Sequence, residues 1–464
     1  MKLKELNTVY FLGAGGIGMS ALARYFNSIG CQVFGYDKTK TELTEQLEKE
    51  GITIHYNEDV ALIPASVRNK EENTLVVYTP AIPKNNKEYQ FLLGEDIPLK
   101  KRSEVLGMIS EEYFTIAIAG THGKTTTSSI VAHVLNQAGI RCLAFLGGIS
   151  LNFNSNLLLN DNADVVVVEA DEFDRSFLTL YPNIALVTSV DADHLDVYGD
   201  KDEMLKSYQE FVGKVRDNGV LITKPEIISN LKREGINNLS YSLDTSADYI
   251  AAKVEIIEGN YVLDVATEDE VVSGVKIGLP GIHNVENSLG AYAIAKQLDL
   301  TEEQILKGLE TYKGVKRRFE YHVKSKGAVY IDDYAHHPEE LKYCISSVKE
   351  LYPNKRITGI FQPHLFSRTN DFYKEFAQSL SLLDELILMD IYPARELPIV
   401  GVTSQIILDE VTISNKKIVT KDSLLKEVKD RNVEVLITMG AGDIDVFVSP
   451  IKEMLQTKLV NANA

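Results

Sequence analysis

Residues 114–127 read FTIAIAGTHGKTTT, an apolar run that passes directly into a glycine-lysine-threonine loop. The run predicts a buried β-strand, and a helical pattern follows from Lys124 to about Ala138. In such a loop the backbone N–H groups surround phosphate oxygens, a lysine reaches the terminal phosphates, and a threonine hydroxyl binds Mg²⁺. A strict form of the loop has glycine at position 118, where this chain has Ile118. The stretch predicts an ATP site formed by Gly120, Thr121, His122, Gly123, Lys124, Thr125 and Thr126.

An acidic segment follows another buried strand of the same block. Val165–Val168 predicts a strand, and the residues after it read EADE. A carboxylate at the carboxyl end of a strand beside a nucleotide loop is well placed to bind Mg²⁺. Glu169 is the predicted ligand, whereas the acidic residues after it fit either a functional role or a solvated loop. These residues are Asp171, Glu172 and Asp174.

A histidine follows a further predicted strand, Ile184–Ser189. His194 comes directly after two carboxylates, Asp191 and Asp193. An isolated histidine is more often structural, but a position after a strand and beside carboxylates favours a functional role. We therefore predict that His194 takes part in the site.

A second glycine-rich loop lies near the start of the chain. Residues 13–18, GAGGIG, follow the short apolar strand Thr8–Leu12 and lead into a helical pattern at Met19–Ile29. Glycines in this arrangement permit a tight turn and let the backbone approach a diphosphate at the helix N-terminus. Asp37 lies 19 residues after Gly18, where an acidic residue usually meets a ribose hydroxyl. The pattern favours a diphosphate site over a purely structural turn, but it does not distinguish NAD from a nucleotide sugar.

The order of the predicted elements indicates the domain organisation. Strands alternate with helices in residues 1–107, 108–319 and 320–464, which is typical of an α/β fold with parallel sheets. Between Ala247 and Ile277 the pattern changes to period-two alternation with turns, which indicates an antiparallel β-insert. We predict a Rossmann-like N-terminal domain, a central P-loop ATPase domain that carries the insert, and a Rossmann-like C-terminal domain. The strands expected in the third block are Ala328–Asp332, Arg356–Phe361, Glu385–Asp390 and Val433–Met439.

Composition and charge argue against several classes of protein. The 464 residues carry a formal net charge of −18 without a basic run, so binding to nucleic acid is not expected. No apolar stretch approaches the roughly 18 residues of a membrane span, and the N-terminus lacks the features of a signal peptide. The 3 cysteines are far apart in the sequence, which argues against a disulfide framework. We expect a reduced, cytoplasmic protein, and the sequence leaves its oligomeric state open between monomer and dimer.

Four further polar clusters lie at the boundaries of predicted elements. They are rich in histidine and arginine: GIHN at 281–284, RRFE at 317–320, DDYAHHP at 332–338 and QPHLFSR at 362–368. Each is too polar to belong to a core, although any one of them alone fits a surface loop. Together they suggest a cationic site that holds several anionic groups.

This ordered series of motifs resembles the Mur ligase family, which comprises ATP-dependent, amide-forming enzymes of peptidoglycan synthesis. The resemblance includes both glycine loops, the acidic segment 169–174, Asp193-His194 and the four polar clusters, and so covers almost the whole chain. It implies that the N-terminal loop holds the UDP of a sugar nucleotide rather than NAD. The motifs are most similar to those of members that join L-alanine to the lactyl carboxylate of UDP-N-acetylmuramate through an acyl phosphate. ATP and Mg²⁺ are the implied cofactors, and UDP-N-acetylmuramate and L-alanine are the implied partners.

The resemblance also implies roles for individual residues. Thr125 and Glu169 would bind one Mg²⁺ and His194 a second, while Lys124, expected to be solvated, would hold the ATP phosphates. The other implied nucleotide contacts are Asn284, Asn287, Arg318 and Asp333. The implied sugar-nucleotide contacts are Gly15, Gly16, Ile17, Gly18, Met19, Ser20, Asp37, Arg102 and Glu172. The residues implied around the alanine and the lactyl carboxylate are Tyr334, His336, His364 and Arg368. The implied catalytic set is Lys124, His194, Arg318, His336 and Arg368.

The chain departs from the family pattern at two positions. Some alanine-adding members have a second arginine where this chain has Leu365, so Arg368 alone would make that carboxylate contact. Several other members have a carbamylated lysine a short distance after the metal-binding histidine. Here Gln209 occupies that position and Lys206 is out of register, so no carbamate is predicted.

Three other functions compete with this interpretation. The nearest is that of a family member which joins the same sugar nucleotide to a recycled peptide, but its N-terminal loop usually lacks the run Gly15–Met19. A nucleotide-binding regulator with two sites would not need His336, His337 or Arg368. An NAD-dependent dehydrogenase would account for the first loop and leave residues 120–127 unexplained.

Overall fold

The computed structural model describes residues 3–191, 198, 200–257, 260–394 and 396–463. Contacts among these residues divide the chain into two compact units. As far as they are described, the first unit comprises Met1–Glu255, Val262–Gly278 and Glu286–Lys313, and the second comprises Ile256–Tyr261, Leu279–Val285 and Gly314–Ala464. The expected boundary near residue 107 falls within the first unit, so the division into three domains stays a prediction.

A five-stranded parallel sheet forms the N-terminal part of the first unit. Its strands are β1 Thr8–Leu12, β2 Gln32–Tyr36, β3 Thr53–His55, β4 Thr74–Tyr78 and β5 Leu99–Lys101, in the spatial order β3-β2-β1-β4-β5. Its helices are α1 Ile17–Ser28, α2 Glu42–Lys49, α3 Ala65–Arg68, α4 Lys87–Gly94 and α5 Arg102–Glu112, with 3₁₀ turns at Leu3–Glu5 and Val60–Leu62. All of β1 is buried, and Leu12 pairs with Tyr36. The segments that follow β1 and β2 therefore emerge side by side.

A ten-stranded sheet forms the larger part of the first unit. Its strands are β6 Phe114–Ala119, β7 Cys142–Ser150, β8 Ser155–Leu158, β9 Val165–Glu169, β10 Ile184–Val187, β11 Val220–Thr223, β12 Asn237–Ser242, β13 Tyr249–Ile257, β14 Asn260–Ala266 and β15 Val271–Ile277. Their order is β15-β14-β13-β12-β11-β10-β6-β9-β7-β8. Both neighbours of β6 run parallel to it, so three strands end at the same edge beside the loop at 120–123. The predicted insert is present as three consecutive strands that are neighbours in the sheet.

The helices that follow β6 complete this part of the chain. They are α6 Lys124–Gln137, α7 Lys201–Gly213, α8 Pro225–Leu231, α9 Ile282–Lys296 and α10 Glu302–Thr311, and a 3₁₀ segment covers Phe173–Thr179. The division between the two units falls within α9, whose first turn is assigned to the second unit. Thr115–Ala119 of β6 is buried without alternation, as expected of a parallel strand covered on both faces. Among the residues that the structure describes, no helix has the length and apolar character needed to cross a bilayer.

A six-stranded sheet forms the second unit. Its strands are β16 Glu320–Lys324, β17 Val329–Asp333, β18 Ile357–Phe361, β19 Glu385–Met389, β20 Lys416–Val419 and β21 Val435–Met439, in the order β16-β17-β21-β18-β19-β20. Its helices are α11 Pro338–Leu351, α12 Phe366–Leu380, α13 Gln405–Glu410, α14 Lys421–Asp430 and α15 Val448–Asn463, with a 3₁₀ turn at Asp443–Phe447. Only β16 is antiparallel to its neighbour; the remaining pairs are parallel. The predicted α/β class is confirmed.

Candidate active site

The loop between β6 and α6 requires glycine at two positions. Gly120 has φ +130° and Gly123 has φ +80°, both in the region that favours glycine. A methyl group at Gly120 would overlap the Thr188 hydroxyl, and one at Gly123 would lie 2.6 Å from Asn287 Oδ1. The close fit at Gly123 also brings Asn287, an expected nucleotide contact, to the loop.

Residues that follow β10 hold this loop in place. Ser189 Oγ accepts a hydrogen bond from the His122 N–H at 3.0 Å and lies 2.8 Å from Thr121 Oγ1. The Thr188 hydroxyl donates to the His122 carbonyl, and the Asp191 N–H donates to Thr121 Oγ1 at 3.1 Å. Sequence reasoning missed Thr188 and Ser189, although both belong to the strand segment predicted to end at this edge.

Lys124 opens α6 and turns back over the loop. Its Nζ donates to the Gly120 carbonyl at 2.6 Å and lies 2.7 Å from the Glu172 carboxylate. Burial alone would lower the pKa of Lys124, but the charges of Glu172 and Glu169 outweigh it and leave the pKa raised. The lysine is therefore charged, and only 14% of its side chain is exposed, whereas a solvated lysine was expected.

The two expected magnesium ligands lie at the edge where β6 and β9 end. Thr125 is in the first turn of α6, and the pairing of Ile118 with Glu169 brings the carboxylate of Glu169 to the same edge. Glu169 Oε2 accepts a hydrogen bond from the Gly147 N–H at 3.1 Å, and a methyl group at Gly147 would overlap that carboxylate. A hydroxyl and a carboxylate are the hard oxygen donors that Mg²⁺ takes beside phosphates and water, so these residues fit the ion.

The expected ligand of a second metal ion, His194, lies outside the described residues. Among the residues that are described, no three His, Cys, Asp or Glu side chains surround a common point. A magnesium ion held by Thr125 and Glu169 would thus draw most of its ligands from phosphate and water, which is its usual mode of binding.

The acidic segment after β9 is paired rather than merely solvated. Arg102 Nη2 lies 3.3 Å from Asp171 Oδ2, and Lys101 Nζ lies 3.2 Å from Asp174 Oδ2. Glu172 is 1% exposed and directs its carboxylate at Lys124. The role of Glu172 in binding a sugar nucleotide stays a prediction.

The N-terminal glycine loop borders a cavity of about 270 Å³. Gly16, Ile17, Gly18 and Met19 line it together with Arg102, and Glu169 and Gly147 line it from the β9 side. Five residues expected at the sugar nucleotide and one expected at Mg²⁺ therefore line the same cavity. Gly147 also lines it and was not predicted from the sequence.

Asp37 and Ser20 have structural partners near this loop. Asp37 Oδ2 accepts a hydrogen bond from the Gly15 N–H at 2.8 Å, and Asp37 Oδ1 accepts one from the Thr39 N–H at 3.0 Å. The buried Ser20 donates to the Ile17 carbonyl at 2.9 Å. The roles of Gly15, Ser20 and Asp37 in binding a sugar nucleotide stay predictions.

In the second unit, Asp333 ends β17 and is almost fully buried. It accepts hydrogen bonds from the N–H groups of Phe319 and Ala335, each at 2.7 Å. Burial raises the pKa of Asp333 to about 6, against the opposing charge of Arg318. The Arg318 guanidinium lies over the Tyr334 ring, with its Cζ 5.2 Å from the ring centroid. Three residues expected at the ligand sites are therefore neighbours.

Arg317 and Asp332, which directly precede Arg318 and Asp333 in the sequence, have structural roles. Arg317 Nε donates to Asp332 Oδ2 at 3.0 Å, and Arg317 Nη2 donates to the Gly440 carbonyl at 2.7 Å. Asp332 is fully buried and also accepts a hydrogen bond from Thr438 Oγ1 at 2.6 Å. The sequence shows two arginines and two aspartates in succession but does not distinguish the structural member of each doublet.

The histidines of the second unit lie close together. The His336 ring centroid is 5.3 Å from that of Tyr334 and 6.1 Å from that of His364, which in turn stacks on Tyr392 at 5.8 Å. Burial, together with the nearby His336 and Arg368, lowers the pKa of His364 to about 4. At neutral pH His364 is therefore uncharged, and Arg368 supplies a permanent positive charge.

Leu365, Asn284 and His283 belong to two of the polar clusters identified in the sequence. Leu365, where some family members have arginine, has φ +72° and precedes α12; its N–H donates to the Tyr392 carbonyl at 2.9 Å. Asn284 is buried in the first turn of α9 and donates through Nδ2 to the Pro280 carbonyl at 2.6 Å. Burial beside Arg318 lowers the pKa of His283 to about 4, so this histidine is neutral.

Three family models match successive parts of the chain. They are the Mur ligase family catalytic domain over residues 8–114, the Mur ligase middle domain over 118–295 and the Mur ligase glutamate ligase domain over 317–444. The UDP-N-acetylmuramate–L-alanine ligases of Christiangramia forsetii and Flavobacterium johnsoniae are 48% and 50% identical to this chain. These alignments cover 98% and 99% of this chain and 99% and 100% of the relatives.

A solved structure has a similar fold over nearly the whole chain. The UDP-N-acetylmuramate–alanine ligase of Thermotoga maritima is 28% identical and matches with a TM-score of 0.80, covering 97% of this chain and 99% of that one. The family models, the relatives and the fold thus agree along nearly the whole sequence, and they agree with the motifs from which the site was predicted. The chain belongs to the Mur ligase family.

Proposed function

We propose that this chain is an ATP-dependent ligase that joins L-alanine to the lactyl carboxylate of UDP-N-acetylmuramate. Full-length relatives at about half identity are named for this reaction. One observation carries the proposal: the glycine loop at 16–19 and the carboxylate of Glu169 line one cavity. A sugar nucleotide bound at the loop would extend toward the end of β9, where the ATP phosphates are expected.

A carboxylate must be activated before an amine can displace one of its oxygens. In the first step a lactyl carboxylate oxygen attacks the γ-phosphorus of ATP, the bond from that phosphorus to the bridging oxygen breaks, and ADP leaves. In the second step the uncharged amine of alanine attacks the acyl carbon of the acyl phosphate. The tetrahedral intermediate expels phosphate, and the nitrogen loses one proton as the amide forms. Catalysis of both steps consists mainly of positioning and charge stabilisation.

Residues of the first unit supply the charge stabilisation for phosphoryl transfer. The loop N–H groups and Lys124, which is charged and fixed by two hydrogen-bond acceptors, face the expected phosphates. Thr125 and Glu169 would hold Mg²⁺, which neutralises charge on the transferring oxygens when it is bound. Arg102, at the cavity wall, would contact an anionic part of the sugar nucleotide.

Residues of the second unit supply contacts for a nucleotide and for a small amino acid. Arg318 and Asp333 are neighbours there, and Asp333 is the group we assign to a nucleotide hydroxyl. Arg368 is the permanent cation that we assign to a carboxylate, with His336 and His364 beside it. The neutral state of His364 permits hydrogen bonding without adding charge.

Phosphate release with each substrate omitted in turn tests the proposal. We expect rapid release only when UDP-N-acetylmuramate, ATP, L-alanine and Mg²⁺ are all present, because both steps need an occupied sugar-nucleotide site. Equal ATP turnover without the sugar nucleotide would contradict the ligase function. Replacing L-alanine by a muropeptide tripeptide tests the recycling activity, and faster release with the tripeptide would favour that alternative.

A further inference from the structure

Lys124 of the phosphate loop forms an ion pair with the buried Glu172. Lys124 Nζ lies 2.7 Å from the Glu172 carboxylate and 2.6 Å from the Gly120 carbonyl, with a longer contact of 3.5 Å to the Thr121 carbonyl. An ammonium group has three N–H donors; Gly120 and Glu172 accept two of them, and the third has only the long contact to Thr121. A phosphate oxygen that binds this lysine takes the place of the Thr121 contact and lies beside the Glu172 carboxylate.

The backbone fixes the Glu172 side chain at the lysine. The Glu172 carbonyl accepts hydrogen bonds from the Tyr198 hydroxyl at 2.5 Å and from the Arg175 N–H at 2.9 Å. Asp174 and Arg175 both have φ +53°, which turns the chain sharply after Glu172. With its side chain 1% exposed, the carboxylate cannot reach water unless these contacts break. Glu172 therefore stays close to the site of any phosphate that Lys124 binds.

We propose that Glu172 is a positioning residue that holds Lys124 over the phosphate loop and competes with the ATP phosphates for its ammonium group. This inference rests on the proposed function, because it takes residues 120–127 as the ATP loop. A carboxylate and a phosphate repel each other, so Glu172 weakens the binding of ATP and favours the departure of ADP. The same carboxylate fixes the ammonium in the direction needed for phosphoryl transfer.

Glu172→Gln isolates the effect of charge, because glutamine keeps the shape of the side chain and an oxygen acceptor for Lys124. Titration calorimetry with Mg-ATP should show a dissociation constant lower by about tenfold, which corresponds to about 1.4 kcal/mol. Adenosine, which has no phosphate, should bind to the variant and the wild type equally. Glu172→Asp keeps the charge and should have an ATP affinity close to that of the wild type.

Glu172→Ala tests whether the carboxylate also positions the lysine. Without an acceptor to direct the ammonium, kcat should fall by about tenfold or more while KM for ATP falls as well. If Glu172 had only a structural role, its removal would lower the stability of the protein without lowering both kcat and KM for ATP. Unchanged kcat in Glu172→Ala would overturn the positioning role. The same variant also removes the charge, so it replaces Glu172→Gln in the binding experiment if the glutamine variant does not fold.

Glu50→Gln is the control for removing one carboxylate charge, because Glu50 pairs at 2.8 Å with the buried Arg24 of the helix that follows the N-terminal loop, and not with a residue of the loop at 120–127. It should leave ATP affinity unchanged. Unchanged or weaker ATP binding in folded Glu172→Gln would overturn the competition, and so would an equal gain in adenosine affinity. Failure of the wild type to bind ATP would instead contradict the proposed function, so the two failures are distinguishable.

Discussion

The two glycine loops of the first unit occupy the same place in a strand–loop–helix arrangement, but the charged side chains that hydrogen-bond to their backbones have opposite signs. Both follow a buried parallel strand and open a helix. At residues 13–18 the Asp37 carboxylate accepts the Gly15 N–H, whereas at 120–127 the Lys124 ammonium donates to the Gly120 carbonyl. An acidic residue can accept hydrogen bonds from ligand hydroxyls beside a diphosphate that is bound without reacting. A lysine can stabilise the charge on a phosphoryl group that is transferred. A glycine loop alone thus indicates phosphate binding, and its charged neighbour indicates what happens to the phosphate.

The largest effect is expected from Lys124→Ala, which removes the charge that distinguishes the second loop. Turnover should fall by at least about a hundredfold, because removing one preorganised donor costs about 2.7–4 kcal/mol. The melting temperature should fall too, because Glu172 would be left as an unpaired buried carboxylate. Steady-state phosphate release and thermal unfolding measure the two effects.

The double variant Lys124→Ala with Glu172→Gln separates these effects. It removes the unpaired charge, so it should recover much of the lost melting temperature without recovering turnover. Near-normal turnover in Lys124→Ala would remove the proposed distinction between the two loops.

Gly120→Ala should have the next largest effect, and Gly16→Ala in the first loop is the control at an unstrained glycine. Gly120 has φ +130° and no room for a methyl group, so alanine there should cost about 1–3 kcal/mol of unfolding free energy and abolish ATP binding. Gly16 has φ −66° and its nearest contact to an added methyl is 3.7 Å, so alanine should fold normally. Denaturant unfolding of both variants checks this, and a similar loss in Gly16→Ala would show that the cost at Gly120 does not come from its positive φ and lack of space.

Asp37→Asn tests the acidic partner of the first loop and should have a moderate effect. The carboxylate accepts two backbone N–H groups, and the amide can replace only part of this interaction. We expect KM for UDP-N-acetylmuramate to rise by about fivefold, within the usual range for a charged hydrogen bond, while KM for ATP stays the same. An equal change in both KM values would contradict the assignment of the two loops to different ligands.

Ser189→Ala should have the smallest effect, because it removes a support of the second loop rather than a ligand contact. The hydroxyl accepts from the His122 N–H and contacts Thr121 Oγ1. Loss of one such hydrogen bond should raise KM for ATP by about threefold and leave KM for the sugar nucleotide unchanged. Steady-state kinetics with each substrate varied would detect the difference, and a larger effect on the sugar nucleotide would contradict it.

Sequence reasoning succeeded where local pattern and chemistry coincide. The strand at 114–119, the glycine loop and the helix from Lys124 were all predicted, because an apolar run followed by this loop has few other conformations. The short edge strands Glu320–Lys324 and Lys416–Val419 were not predicted, because edge strands are half exposed and have a weak apolar pattern.

The site was predicted as a set of residues but not as a set of contacts. The ion pair between Glu172 and Lys124 was not predicted, and it depends on a sharp turn that begins 2 residues after Glu172. Arg317 and Arg318 are adjacent in sequence, yet only Arg317 pairs with the buried Asp332. Such choices depend on tertiary packing, which a single sequence does not encode in local pattern.

Activation of the lactyl carboxylate by ATP can be followed directly with oxygen-18. UDP-N-acetylmuramate labelled at both carboxylate oxygens is turned over with unlabelled ATP, Mg²⁺ and L-alanine, and the released phosphate is analysed by mass spectrometry. The oxygen that attacks the γ-phosphorus stays on phosphorus when the acyl C–O bond breaks. An acyl phosphate route therefore predicts a single labelled oxygen in each phosphate released. Amide formation with unlabelled phosphate would contradict it.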